Sequence, residues 1–358
     1  MIEFRRKRSK NMRKFDYKKI KNMSFDSDIL GFIASIYQEK GKQELYLKQK
    51  PVELEKLVEI AKIQSTEASN AIEGIRTTNT RIKQLVLERT APKNRAEEEI
   101  GGYREALKTI HVSFEYIPLT SNYILQLHKI LFSLVPNSFG GKFKNVQNYI
   151  SATNESGESF ILFTPLAPYE TPDAVDAICN AYNLALADGV EPLVLIPMFI
   201  HDFLCIHPFL DGNGRMSRLL TTLLLYRSGF YVGKYISLEA KIAANKDGYY
   251  DALASSQVGW HQGKDDSTAF VKYILATILS AYRDFEDRFR IVEGGTTAIE
   301  AVRKAINLKI GKFTKQDIIN LCPSLAKSTV ELALKTLVNS GEIARQGAGK
   351  GTYYIRLS

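Results

Sequence analysis

The sequence predicts a mainly α-helical protein: a helical core carrying one β-hairpin flap, a helical N-terminal region and a C-terminal domain of winged-helix type. Three observations carry that prediction. Apolar residues recur at helical spacing through most of residues 51–290. The pattern is interrupted once, between Phe139 and Glu170, by Gly140-Gly141, Asn154-Glu155-Ser156-Gly157, Pro165 and Pro168. After Glu293-Gly294-Gly295-Thr296-Thr297, which reads as a linker, a compact pattern of three helices and two short strands closes the chain.

The elements follow in order. Pro51 to Glu73 reads as one long helix, because Pro51 suits a first turn and Val52, Leu54, Leu57, Val58, Ala61, Ala68 and Ile72 supply apolar faces. Gly74 is placed to end it. Further helices are predicted over Arg81 to Glu88, Ala96 to Ser113 and Ser121 to Leu134. Asn148 to Ala152 and Ser159 to Thr164 read as a hairpin. Helices resume over Pro172 to Ala187, Pro192 to Ile206, Gly214 to Arg227, Ile242 to Ala254 and Thr268 to Arg290. In the tail, helices are expected over Ala298 to Lys309, from Lys315, and over Ser324 to Asn339. Strands Gly341 to Arg345 and Thr352 to Arg356 then flank a glycine-rich tip.

Composition narrows the classes. Hydrophobic content of 45% with 24% charged residues is ordinary globular usage, and 358 residues suggest two or three domains. Cys179, Cys205 and Cys322 are few, odd in number and far apart, which fits a reducing compartment. Val194 to Ile206 is the longest apolar stretch, and Pro197, His201 and Asp202 break it well short of a membrane span. No apolar segment follows the basic start, so a cytoplasmic location is expected. The net charge of +9 suggests a nucleic-acid binder until it is sorted by position. Residues 1–22 hold +8 and residues 291–358 hold +5, leaving −4 across residues 23–290. The basic leader is expected to be a loosely docked arm.

One segment concentrates chemistry: His207-Pro208-Phe209-Leu210-Asp211-Gly212-Asn213-Gly214-Arg215-Met216-Ser217-Arg218. An apolar helix runs into His207, Pro208 blocks its continuation, and a new helix begins near Gly214. Gly212 and Gly214 let backbone N–H groups approach an anion at that helix start, with Asn213 between them. Arg215 and Arg218, three residues apart, add bidentate donors for phosphate oxygens. Asp211 is a hard oxygen ligand suited to Mg²⁺, and His207 is a candidate general base. Together these groups point to transfer of a phosphorus-centred group.

The segment resembles the signature of Fic-domain proteins, HPFx[D/E]GNGRxxR, with every defining position filled. His201 before it, Asn245-x-x-x-Tyr249-Tyr250 after it and the preceding hairpin agree, and the resemblance covers roughly residues 110–290. Lys144 stands where members often carry Arg. The expected organisation is a basic leader (1–22) read from the charge, an N-terminal helical region with the inhibitory helix (23–110), a Fic catalytic domain (111–290) implied by the resemblance, and a winged-helix domain (296–358) read from the tail's pattern. The resemblance implies transfer of AMP from ATP to a Tyr, Ser or Thr hydroxyl of a protein, with Mg²⁺ as cofactor. By the same resemblance His207 would be the base, Asp211 the Mg²⁺ ligand, and Gly212, Asn213 and Gly214 the phosphate cradle. Arg215 and Arg218 would hold the β- and γ-phosphates, and Tyr249 and Tyr250 would line the nucleoside side. Phe160, Ile161, Leu162 and Phe163 would form a flap that holds the target segment by strand addition.

Upstream, Ser69-Asn70-Ala71-Ile72-Glu73-Gly74 resembles the family's inhibitory motif, [S/T]xxxE[G/N]. Ser69 and Glu73 share one helical face, so Glu73 would pair with Arg218 and take the fork meant for the γ-phosphate. Other readings stay open at this stage. They are another phosphorus transfer on the same scaffold, removal of AMP with Glu73 as base, and a DNA-binding regulator whose Fic domain senses nucleotide. Ser324, Lys327, Ser328, Thr329 and Lys350 would be the DNA-facing residues of the last reading. ATP and a protein target are the expected partners, with no membrane; a homodimer rests on the resemblance alone.

Overall fold

The computed structural model describes residues 13–49, 51–153, 157–292, 297–309, 311–322 and 325–357. The leader's first twelve residues, the hairpin tip 154–156, the linker 293–296 and Ser324 lie outside the described residues.

The helices run α1 (Ser27–Gln49), α2 (Pro51–Ile72), α3 (Asn79–Lys83), α4 (Arg95–Ser113) and α5 (Ser121–Leu131). Strands β1 (Ile150–Thr153) and β2 (Ser159–Phe163) follow. Then come α6 (Thr171–Ala187), α7 (Pro192–Ile206), α8 (Asn213–Arg227), α9 (Leu238–Ala244), α10 (Lys246–Ser256) and α11 (Thr268–Val292). The tail holds α12 (Ala298–Asn307), α13 (Lys315–Leu321), α14 (Lys327–Asn339), β3 (Ile343–Gln346) and β4 (Tyr353–Arg356). The structure is mainly helical, as the periodicity predicts, with two separate antiparallel two-stranded sheets among the described residues.

One continuous apolar core runs from Tyr17 to Phe289. Its centre is α7, in which Leu193 to Ile206 are all buried except Met198. Helices α6, α8 and α11 pack against it. Burial on every side is what an apolar helix without a polar face requires. The N-terminal helices join this same core: α1 lies along α11, and α2 packs against α4 and α9. A second core (Val302, Ala305, Ile306, Ile318, Val330, Leu334, Leu337, Ile343) belongs to the tail alone. There Phe313 exchanges backbone hydrogen bonds with Tyr354, adding a third segment beside the β3–β4 hairpin.

Three expectations change. The leader is not a loose arm over residues 13–22: Tyr17 and Ile20 are buried in the main core, and Arg13 is ion-paired. The basic charge there concealed two apolar anchors. The predicted helix Ile242 to Ala254 is two helices, because Asn245 (φ −131°, ψ 54°) leaves the helical region between α9 and α10. Arg81 to Glu88 is a short α-helix that widens into one π-turn from Gln84.

Candidate active site

The site is built where α7 ends and α8 begins. His207 caps α7 in the left-handed region (φ 50°, ψ 62°), a strained setting for a side chain bearing Cβ, and its N–H still reaches the Phe203 carbonyl. His207 Nδ1 lies 3.2 Å from the Leu204 carbonyl, so this nitrogen carries the proton and Nε2 is left as acceptor. Burial pushes the imidazole pKa down to about 4; the Leu204 carbonyl opposes that shift and the nearby Lys144 adds to it. His207 is neutral near pH 7, as a base must be.

The turn after it is tied by side chains. Asn213 accepts from the Phe209 N–H (2.9 Å) and donates to the Phe209 carbonyl (2.8 Å), so its side-chain amide closes the loop. Gly212 caps α8 at φ 82°, a conformation that favours glycine. The first-turn N–H groups of Asn213, Gly214 and Arg215 have no intrahelical partner, and with the helix dipole they form an anion-binding corner.

Three residues outside the sequence motifs hold this loop. Asn148 donates to the carbonyls of His207 (3.2 Å) and Phe209 (2.9 Å). His128 accepts from the Gly141 N–H (2.9 Å), bonds the Asp211 carbonyl through Nε2 (3.1 Å) and stacks on Phe209 at 3.7 Å. Glu99 pairs with Arg215 (2.8 Å). Lys144 is buried; its Nζ bonds Asn148 Oδ1 and the Ile206 carbonyl, and burial pulls its pKa down to about 8.

The two arginines differ. Arg215 is fully buried behind the loop, held by Glu99, near Asp211 Oδ1 (3.6 Å) and over the Phe132 ring. Arg218 faces the cavity. Its Nε donates to Ser69 Oγ (2.8 Å), and its Nη2 donates to the Ser69 carbonyl (2.9 Å) and Glu73 Oε1 (2.7 Å). Its Nη1 is buried without a hydrogen-bond partner. Glu73 stands at the end of α2, where Gly74 N–H bonds the Ala71 carbonyl and Ile75 N–H the Asn70 carbonyl, a Schellman closure. Lys246 Nζ reaches the Ile72 carbonyl (2.8 Å), holding that end.

A cavity of about 480 Å³ joins these groups. Glu73, His207, Gly214, Arg218, Tyr249, Tyr250 and Leu162 line it, with the start of β1 and part of α10. Tyr249 is buried and Tyr250 half-exposed. Asp211, Gly212, Asn213, Arg215 and Ser69 are not part of the lining. Ser69 acts from behind, through Arg218. In the hairpin, Phe160, Ile161 and Leu162 are exposed, whereas Phe163 is buried and anchors the strand against Trp260 and His261. Leu162 alone of the four meets the cavity.

A neutral histidine, the start of α8 and a buried arginine thus meet at one cavity. Residues 118–225 match the model of the Fic/DOC family, so this part of the chain carries a Fic/DOC-family domain. A protein adenylyltransferase fic-1 of Caenorhabditis briggsae is 27% identical over 183 residues, 50% of this chain and 32% of that protein. The chain thus spans about a third of the length of that curated relative. Among solved structures, a Fic family protein from Desulfovibrio desulfuricans superposes with a TM-score of 0.60 at 21% identity, covering 94% of this chain and 98% of the other. A Fic domain-containing signaling protein from Bacteroides thetaiotaomicron gives 0.61 at 23% identity, over 73% of this chain and 100% of the other. Both share the fold.

Proposed function

We propose that this chain transfers AMP from ATP to a hydroxyl side chain of a protein, and that Glu73 holds the reaction in check. The observation that carries the proposal is the 2.7 Å pair between Glu73 and Arg218, inside the cavity that His207 lines. The relatives named as adenylyltransferases support the choice of reaction.

In this reading His207 Nε2 takes the proton of the target hydroxyl as its oxygen attacks the α-phosphorus. The bond to the bridging oxygen breaks and pyrophosphate leaves. The first-turn N–H groups of α8 and Arg218 hold the phosphates; Arg215 keeps the loop in shape through Glu99. Asp211 fits Mg²⁺, since its carboxylate is half-exposed beside the anion corner and one carboxylate plus phosphate oxygens is a usual donor set. Bound there, the ion would supply charge neutralisation at the phosphates. The exposed Phe160–Leu162 stretch would take the target backbone as an added strand. Tyr250 would pack on the nucleoside, with Tyr249 beneath it.

Glu73 occupies the guanidinium that the γ-phosphate needs. If the resulting misalignment raises the barrier by about 4 kcal/mol, the rate falls roughly a thousandfold. The test is incubation with α-labelled ATP and Mg²⁺. Glu73→Gly should incorporate label into itself far faster than wild type, and His207→Ala in that background should incorporate none. Equal labelling of wild type and Glu73→Gly would reject the brake, and labelling from γ-labelled ATP instead would reject AMP transfer.

A further inference from the structure

We propose that residues 13–17 form a clasp that fixes the flap relative to His207, making Arg13 a positioning residue for the protein substrate; this rests on the AMP-transfer reading above. The Arg13 side chain is 9% exposed, although it belongs to the basic leader. Its guanidinium pairs with both oxygens of Asp265, lies 3.4 Å from Asp202 and donates to the Trp260 carbonyl. Its plane covers the Trp260 ring at 4.9 Å and Phe15 at 5.6 Å. Asp202 is also bonded by Tyr17 OH (2.7 Å) and Trp260 Nε1 (2.6 Å).

Each end of this network lies on an element that reaches the site: α7, which leads into His207, and β2, which carries Leu162. Asp202 sits on α7, five residues before His207. On the other side Trp260 meets Phe163 edge-on at 6.1 Å, and His261 stacks on the same ring at 5.3 Å. His261 Nε2 also bonds the Thr164 carbonyl (2.9 Å). Phe163 is the buried foot of the strand whose exposed residues would hold the target. The helix that delivers the base and the strand that delivers the target are therefore joined through Arg13 and Trp260. His201, Asp202 and Asp265 converge within 4.8 Å, a spacing open to a metal ion. Here the Arg13 guanidinium already neutralises those carboxylates, and its planar fork fixes direction as well as charge.

Opening the clasp should free the flap without touching the nucleotide side. The experiment compares the full chain with Arg13→Ala and Phe15→Ala, the second leaving the ion pairs intact should the first fail to fold. Emission of Trp260, the single tryptophan of the chain, reports whether the clasp has opened. Amide exchange over residues 159–164 should then quicken roughly tenfold. In the Glu73→Gly background, labelling at saturating ATP should fall about tenfold with the half-saturating ATP concentration unchanged. A shifted Trp260 emission with unchanged exchange at 159–164 overturns the proposal, as does a rise in half-saturating ATP equal to the loss of rate. If Glu73→Gly alone incorporates no label, the AMP-transfer reading fails, and the exchange measurement still decides whether the clasp holds the flap.

Discussion

At the scale of the residue, Gly214 shows how closely Glu73 is fitted against the start of α8. A Cβ there would lie 2.3 Å from Glu73 Oε1, the far end of a side chain that among the described residues only the Arg218 pair holds in place. Gly214→Ala should therefore expel the carboxylate and raise self-labelling. The gain should be smaller than for Glu73→Gly, because the methyl group also narrows the phosphate approach. Labelling at the wild-type level would show that Glu73 tolerates the methyl in place. His207 gives a pH prediction. Its folded pKa of about 4 lies below the ordinary 6.5, so the base form persists as pH falls through 6.5 and is lost only near 4. The acid limb of the Glu73→Gly rate profile should fall near pH 4; a limb near 6.5 would mean that the imidazole is solvated. The same shift makes the unfolded chain the stronger proton binder between those values, so this group lowers stability as pH drops from 6.5 to 4. Twelve contiguous residues made His207 and its loop legible in the sequence. Asn148, His128 and Glu99 were not legible, because each acts on the loop from 59 to 116 positions away and carries no local pattern.

At the scale of the element, the helix that carries His128 is placed by a close crossing. A Cβ on Gly102 of α4 would lie 2.0 Å from the Leu131 carbonyl oxygen of α5, and backbone cannot move aside as a side-chain tip can. Gly102→Ala should destabilise the fold by roughly 1–3 kcal/mol, read as a lower melting temperature. An unchanged melting temperature would mean that α4 and α5 can separate freely. Helices with clear apolar faces and proline or glycine punctuation, such as α7 and α8, were legible nearly to the residue. Helix α1 was not: Gly31, Gly41 and the charges of residues 39–44 dilute its apolar stripe, and packing along α11 supplies what local preference lacks. The break at Asn245 is hidden for the reverse reason, since the apolar spacing continues through it.

At the scale of the whole molecule, the separation of the main core from the tail's core predicts two thermal units. The main core runs to Phe289 and the tail's core starts at Ala301, with α11 touching α12 and α13. A chain ending at residue 292 should keep the larger calorimetric transition of the full protein and lose the smaller. A collapse of the larger transition would make the tail part of one cooperative unit. Charge was the feature that misled most at this scale. The +8 of residues 1–22 predicts a loosely docked arm, yet Arg13, Tyr17 and Ile20 are built into the body. Net charge counts side chains without regard to the apolar neighbours that dock them. No helix among the described residues is long and apolar enough to cross a membrane.

The Schellman end of α2 sets a further consequence. Glu73 is a negative charge on the last turn of a helix, where the aligned peptide dipoles already present partial negative charge; such a placement is unfavourable by about 0.3–1 kcal/mol. Arg218 and the Lys246 contact at Ile72 offset that repulsion. A phosphate that draws Arg218 away removes the counterion, and the helix's own field then drives the carboxylate outward. Release would need no motion of the helix, only the loss of one guanidinium. On the proposed reading, inhibitory strength would be set by Arg218's preference between two anions, with the helix end biased towards release.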